Sequence, residues 1–226
     1  MSAFGMRYRT RKTPILLPEN NLRLNSRAEW AGIFAQSGEL KNFNLVGGQK
    51  GLFIGASGVD GVGRRLNCDS VSFDISNCCL GGCNEACLEI GHNTNLRISN
   101  CVFRGGYKFS QSQNRDFLIR AHNSTIIFDS CNFLNSEKMI FIGPNSNVNF
   151  NNCHFAVGLI GVVVSGSSYP RINNYYNGNG KSVVRFKYTS VQKIQTFCRV
   201  EDGGAAEIEE TYKNISFLDG GVYIES

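Results

Sequence analysis

The sequence predicts an all-β chain wound as a single-stranded parallel β-helix of about seven coils, on two recurrences and one alternation. The first recurrence is Ile98-Ser99-Asn100-Cys101-Val102-Phe103. It returns 30 residues on as Phe128-Asp129-Ser130-Cys131-Asn132-Phe133, and a further 22 on as Phe150-Asn151-Asn152-Cys153-His154-Phe155. Upstream it reads Ile75-Ser76-Asn77-Cys78-Cys79-Leu80, and continued steps of 22 reach Ile172-Asn173-Asn174-Tyr175-Tyr176 and Ile194-Gln195-Thr196-Phe197-Cys198. The second recurrence is Leu88-Glu89-Ile90-Gly91-His92-Asn93-Thr94, answered by Leu118 to Ser124, Ile140 to Ser146, Val162 to Ser168 and Val184 to Ser190. Each unit therefore reads as strand, polar turn, strand, turn.

Within the strands apolar residues alternate with polar ones, as a half-buried strand requires. Leu96 and Ile98, Ile126 and Phe128, Val148 and Phe150 point inward, while Arg97, Ser99, Asp129, Asn149 and Asn151 point outward. The predicted inward column runs Ile75, Ile98, Phe128, Phe150, Ile172, Ile194. One unit cannot bury its apolar face alone, so successive coils must stack with strands in parallel register. At one corner Asn77, Asn100, Asn152 and Asn174 hold equivalent places, where stacked amides can bond the turn backbone and one another. Cys78, Cys101, Cys131 and Cys153 follow, at a place suited to a small apolar side chain.

On these corner asparagines and stacked interior residues the sequence resembles the right-handed parallel β-helix superfamily of pectate lyases and viral tailspikes. The resemblance covers roughly residues 40 to 200, is architectural, and is closest in character to the viral tailspike and fibre proteins. It implies a rod roughly 34 Å long at ~4.8 Å per coil. The longer steps predict insertions near Tyr107 to Asn114 and near Gly58 to Asp69.

The rod's open ends need covers. Ser26-Arg27-Ala28-Glu29 reads as a capping box opening a short helix with Trp30, Ile33 and Phe34 on one face. Residues 207–226 are placed to close the other end through Ile215, Phe217, Val222 and Ile224. Residues 1–25 precede the 26–226 body as a basic, proline-bounded arm. Its docking features are Arg7, Arg9, Arg11 and Lys12, with Ile15-Leu16-Leu17 as an apolar anchor. The same residues also read as a tail or as a first strand laid along the rod. A nucleic-acid partner is disfavoured, because few charges without interleaved aromatics are weak evidence, and the net charge of +5 adds little.

The N-terminal residues are too polar for a secretory signal, and no apolar run reaches membrane-spanning length, so no membrane association is expected. Nine cysteines are an odd count, and four lie in the inward ladder, which favours free buried thiols made in a reducing compartment. The cluster from Cys78 to Cys87, with Cys68 or His92 nearby, invites zinc. Cys78 and Cys87 already have core places, however, so no metal and no cofactor are assigned.

Polysaccharide lyases and hydrolases of the superfamily set carboxylates, or carboxylates with Arg or Lys, side by side on one sheet face. The repeat frame pairs Asp74 with Arg97 and Asp129 with Ser99 and Asn151, yields no carboxylate pair, and assigns no catalytic residue. The best polar constellation is Glu89, His92, Arg120 and His122, a candidate patch for an acidic glycan whose bland alternative is a polar turn with a salt bridge. Ile90, Ile142, Val164 and Phe186 hold the place of Arg120 in that frame, so a bulge turning Arg120 outward is expected. The sequence favours a virion β-helix protein (tail spike, fibre or surface decoration), homotrimeric, made in the host cytoplasm, docked on other virion proteins by its arm and in contact with host glycans. A polysaccharide lyase or glycoside hydrolase, with its site on the face or between subunits, is the second reading. An ice-binding or adhesin-like solenoid is third, since the outward positions form no flat threonine ladder.

Overall fold

The fold follows from where each stretch finds hydrogen-bond partners. In the computed structural model the described residues are 21–24, 31–33, 37–47, 51–55, 57–59, 65–67, 70–83, 86–105, 117–167, 180–208, 215–217 and 222–224. Among these the chain forms strands and turns and no helix. All inter-coil pairs are parallel, and the pairs Ile75 with Ile98, Ile98 with Phe128 and Phe128 with Phe150 reproduce the predicted inward column.

Each coil carries three strands where the repeat suggested two. A long face stacks eight strands, among them Val71–Ser76, Thr94–Ser99, Ser124–Asp129, Asn147–Asn151 and Val183–Lys187. After a tight corner comes a short face of Cys79–Gly81, Val102–Arg104 and Asn132–Leu134. A return face of Leu52–Ile54, Leu88–Ile90, Ile119–Ala121 and Lys138–Ile142 leads back. Further on, His154–Ser165 and Ser190–Glu201 run unbroken through both short and return faces. The long and short faces read as one unit in the sequence because a single residue pair, as Asn100-Cys101, turns the corner between them.

That corner is made by the backbone. Asn42, Asn77, Asn100, Ser130, Asn152 and Tyr188 occupy it with φ between 51° and 56°, the left-handed region in which Asn is tolerated and most L residues are strained. Their N–H groups donate along the rod, Asn77 to Ser99 O at 3.1 Å and Asn152 to Lys187 O at 3.0 Å. The asparagines themselves are exposed, so the recurring Asn reports a conformation. Just inside, each thiol of Cys78, Cys101, Cys131 and Cys153 donates to a carbonyl of the preceding coil and to the carbonyl two residues back. Thr189 ends the column with the same two bonds, to Phe150 O and Lys187 O. The described cysteines are all free. Hydrogen bonds to neighbouring thiols, and then burial, push Cys78 up and Cys101 up to about 12, and Cys131 also rises to about 12, the pull of Cys101 being outweighed by Cys153 and burial, so these thiols stay protonated.

Two phenylalanine stacks fill the interior. Phe128, Phe150 and Phe186 stack from the long face with centroids 5.0 Å apart at each step. Phe103, Phe133 and Phe155 stack from the short face at 5.4 and 4.5 Å, and the stacks meet edge to face, as Phe150 meets Phe155 at 5.5 Å.

Several expectations change. Phe150 pairs with Phe186, 36 residues on, and Val184 lies over Val148. The steps of 22 therefore do not continue past Phe150 on the long face. Ile194 falls in the long strand opposite Gly158, while Ile172 and Asn174 lie outside the described residues. A third insertion, within residues 168–179, accounts for the lost frame, and sequence reasoning missed it because Ile172-Asn173-Asn174 imitates the corner. The insertion at 58–69 contains an antiparallel pair, Ser57–Val59 with Arg65–Asn67, and Tyr107 to Asn114 lie outside the described residues. Ala31–Ile33, assigned to a capping helix, is a strand on Leu52–Ile54, and Ser26 to Trp30 and Phe34 lie outside the described residues. Asn21–Leu24 pairs with Asn44–Gly47, so the last residues of the basic segment join the sheet. Ile215–Phe217 and Val222–Ile224 continue the return and long faces as a further coil instead of folding over its end.

The positive φ values yield a contrast. Asn152→Ala is expected to lose about 1 kcal/mol, since Ala pays the left-handed penalty in full, and Asn152→Gly much less. Val157, β-branched, takes φ 62° where Asn135 stands one coil earlier. Val157→Asn should gain about 1 kcal/mol. Urea unfolding midpoints that move in the same direction for Asn152→Ala and Val157→Asn would contradict the conformational account.

Candidate functional site

The predicted polar constellation sits on the return face, in a register shifted by one residue. Leu88 pairs with Ile119 and Ile90 with Ala121, which places Arg120 opposite Glu89 and Phe141 instead of opposite Ile90 and Ile142. Arg120 thus points outward, as expected, but through this shift of register and not through a bulge, its strand pairing residue for residue on both sides. The shift arises in one turn: Gly91-His92-Asn93 has three residues where the next coil has only His122-Asn123. His122 takes the place of Gly91, since Gly91 N donates to Ile54 O and His122 N to Ile90 O. His92 and His122 are therefore not equivalent.

Outward does not mean exposed here. Arg120 is 1% and His122 3% exposed. A second apolar cluster of Phe117, Phe141, Ile160 and Val163 lies on this outer side, with Phe117 against Phe141 at 5.4 Å and His122 against Phe141 at 5.7 Å. The imidazole fits because its neighbour in the next coil is glycine: a Cβ on Gly143 would collide with His122 Nδ1. Burial first, and then the Arg120 charge, push His122 down to about 4, so it is neutral at pH 7. Burial also lowers His92. Arg120 and His122 are withdrawn from any ligand-facing surface, while Glu89 and His92 are partly exposed.

His92 instead joins a ladder at the turn between return and long faces. Asn93, Asn123 and Asn145 take φ of 50°, 42° and 56°. Asn93 N donates to Asn123 O at 2.9 Å and Asn123 N to Pro144 O at 2.8 Å. The Asn123 amide donates to Asn93 Oδ1 at 3.2 Å and lies 2.9 Å from His92 Nδ1. This amide stack is the one the sequence placed at the other corner. It floors a groove of about 290 Å³ whose described lining is Ser70, Asn93, Thr94, Asn95, Asn123, Ser124, Thr125 and Asn145. Asn93, Thr94, Asn123, Ser124 and Asn145 had been visible in the second recurrence, but as a turn; Ser70, Asn95 and Thr125 lie outside it.

The long face holds a further row. Glu39 pairs in register with Asp74, and Asp74 with Arg97, so two carboxylates and a guanidinium occupy successive outward places, with Lys41 ion-paired to Glu39. The step that carries Leu40 to Ile75 also sets Glu39 beside Asp74, and sequence reasoning, which compared only the later coils, overlooked the pair. Asp129 stacks between Ser99 and Asn151 as expected. Among the described residues no group of three His, Cys, Asp or Glu is arranged to hold a metal ion. Arg7, Arg9, Arg11, Lys12, Ile15, Leu16 and Leu17 lie outside the described residues.

No family model matches this chain, and no curated protein aligns with it. Among solved structures, the tailspike gp42 of Acinetobacter phage vb_AbaP_AS12 is similar over 90% of this chain and 42% of that one, at 12% identity and a TM-score of 0.48. The chain spans less than half of that tailspike's length, and a likeness of this size carries no functional argument. The architecture rests on the register itself: an all-β chain whose strands pair in parallel from coil to coil.

Proposed function

We propose that this chain is a virion β-helix protein, a tail spike, fibre or surface decoration, that docks through its basic N-terminal segment and presents its outer faces to host-surface glycans. The observation that carries the reading is the groove across successive coils, lined by side chains rich in hydrogen-bonding groups, on a rod whose interior is filled by phenylalanine. Such a surface suits an extended polar polymer and offers no enclosed pocket for a small apolar ligand. Buried free thiols fit synthesis in a reducing cytoplasm, and the architectural resemblance to viral β-helices supplies the virion setting and the homotrimer. Because Asn21–Leu24 belongs to the sheet, the docking segment is residues 1–20. Deleting them should leave thermal unfolding nearly unchanged and abolish recovery in purified particles. Normal incorporation without them would refute docking, and collapse of the fold would make them part of its core.

A polysaccharide lyase or hydrolase is the second reading, favoured by the Glu39, Asp74 and Arg97 row. Turnover of an acidic polysaccharide by the isolated chain, lost in Asp74→Asn, would support it.

A further inference from the structure

We infer that the groove at the return-to-long turn binds a neutral, hydroxyl-rich polysaccharide laid along the rod axis, an inference that rests on the glycan-contacting reading above and gives it a site and a ligand class. The groove is built from two parallel rows. One is the turn row of Asn93, Asn123 and Asn145, held in left-handed φ and fixed by backbone bonds to the next coil. The other is the outward row of Asn95 and Thr125, which are register partners in adjacent strands and are both exposed. Both rows advance by one coil, ~4.8 Å, close to the advance of one hexose in an extended glycan. The polymer therefore meets amide or hydroxyl groups at each successive step, Asn93 with Asn95 and then Asn123 with Thr125.

The charge pattern sets the ligand class. None of the described lining residues carries a formal charge at neutral pH, and the nearby imidazole, His92, is lowered by burial and engaged with the Asn123 amide. An anionic polymer seated in the groove would meet no cation among its described lining to replace its counterions. Two cations of the long face border the groove without lining it: Arg97, one outward place along from Asn95 and in register with Asp74, and Arg185, bonded to Glu207 at 2.6 Å and to Asn147 at 2.9 Å. Amides and hydroxyls both donate and accept, as sugar hydroxyls require. Of the inner hydroxyls, Thr94 Oγ1 donates to His92 O at 3.0 Å and Ser146 Oγ, one coil beyond, to Pro144 O, while Ser124 Oγ is buried without a hydrogen-bond partner among the described residues; the groups that can meet a ligand are those of the two outer rows. At the far end Gly180 packs so closely on the Asn145 amide that a Cβ there would collide with it, and this marks where the groove stops.

The full chain should be tested on a panel of immobilised oligosaccharides, neutral (glucans, mannans, galactans) and anionic (uronate and sialate polymers), beside the double variant Asn95→Ala/Thr125→Ala and the blocking variant Thr125→Arg. Both positions are exposed, so unfolding midpoints should match wild type, and Thr125→Arg tests the groove again if the double variant does not fold. The expected result is binding to a neutral class that falls at least tenfold in either variant while incorporation into particles is unchanged. Binding confined to anionic glycans, failure to bind any neutral member, or binding indifferent to both variants would overturn the inference. Failure of the virion reading is separable: a chain that binds neutral glycans through these residues but is missing from particles contradicts docking alone.

Discussion

Phe150→Ala is expected to lower the unfolding free energy by about 3 to 5 kcal/mol, the largest effect of any single truncation in the rod. Its ring is fully buried, stacks on Phe128 and Phe186 at 5.0 Å each, and meets Phe133 and Phe155 edge-on at 5.9 and 5.5 Å. Neighbours on four sides, each held by its own strand, leave little room for collapse, so a cavity remains. Asn149 is one residue away and faces outward, and Asn149→Ala should stay within about 0.5 kcal/mol. Urea titration measures both, and equal effects would mean that inward and outward are misassigned. A double-mutant cycle between Phe150 and Phe186 should show coupling above about 0.5 kcal/mol. Additivity there would contradict the register that stacks these residues.

Acidification should destabilise the fold through His122. The unfolded chain takes up a proton on this imidazole near pH 6.5, the folded chain only near pH 4. Between those values the unfolded state binds more protons, so stability is intact above pH 6.5 and falls as pH drops toward 4, by about 3 kcal/mol in all. Carboxylates add their own slope, so the measurement is the difference between wild type and His122→Gln in denaturant midpoints from pH 7.5 to 4. The wild type should lose more, and Arg120→Met should shrink the excess by removing the neighbouring charge. Parallel pH profiles for wild type and His122→Gln would place this imidazole in solvent.

The long face and its core column were legible because alternation survives wherever coils follow at 22, 23 or 30 residues: Ile75, Ile98, Phe128 and Phe150 needed no tertiary information. The frame failed where local sequence imitates a repeat. Ile172-Asn173-Asn174 carries the corner pattern but lies in an insertion, while the true successor, Phe186, is followed by Tyr188 and Thr189 in the places of Asn and Cys. Thr189 shows the rule behind the cysteines, a small side chain with one hydrogen to donate to a carbonyl of the coil beneath. Of the predicted constellation, the sequence did not show how its residues stand to one another. A turn shorter by one residue moved His122 out of line with His92 and turned Arg120 outward beneath an apolar cover, and nothing in residue identity announces a one-residue change in turn length. The Glu39 and Asp74 adjacency was overlooked although the step across the insertion implies it, and the Asn93 and Asn123 ladder was masked by the more regular asparagines at the other corner.

The measurement that bears most directly on the account is a cryo-electron microscopy reconstruction of the purified particle containing this chain. The account predicts a rod of parallel coils, three to an assembly, with residues 1–20 buried against other virion proteins and the Asn93 and Asn123 turn facing outward. A particle without the chain, or a rod whose N-terminal segment projects into solvent while this turn is covered by neighbouring subunits, would contradict it.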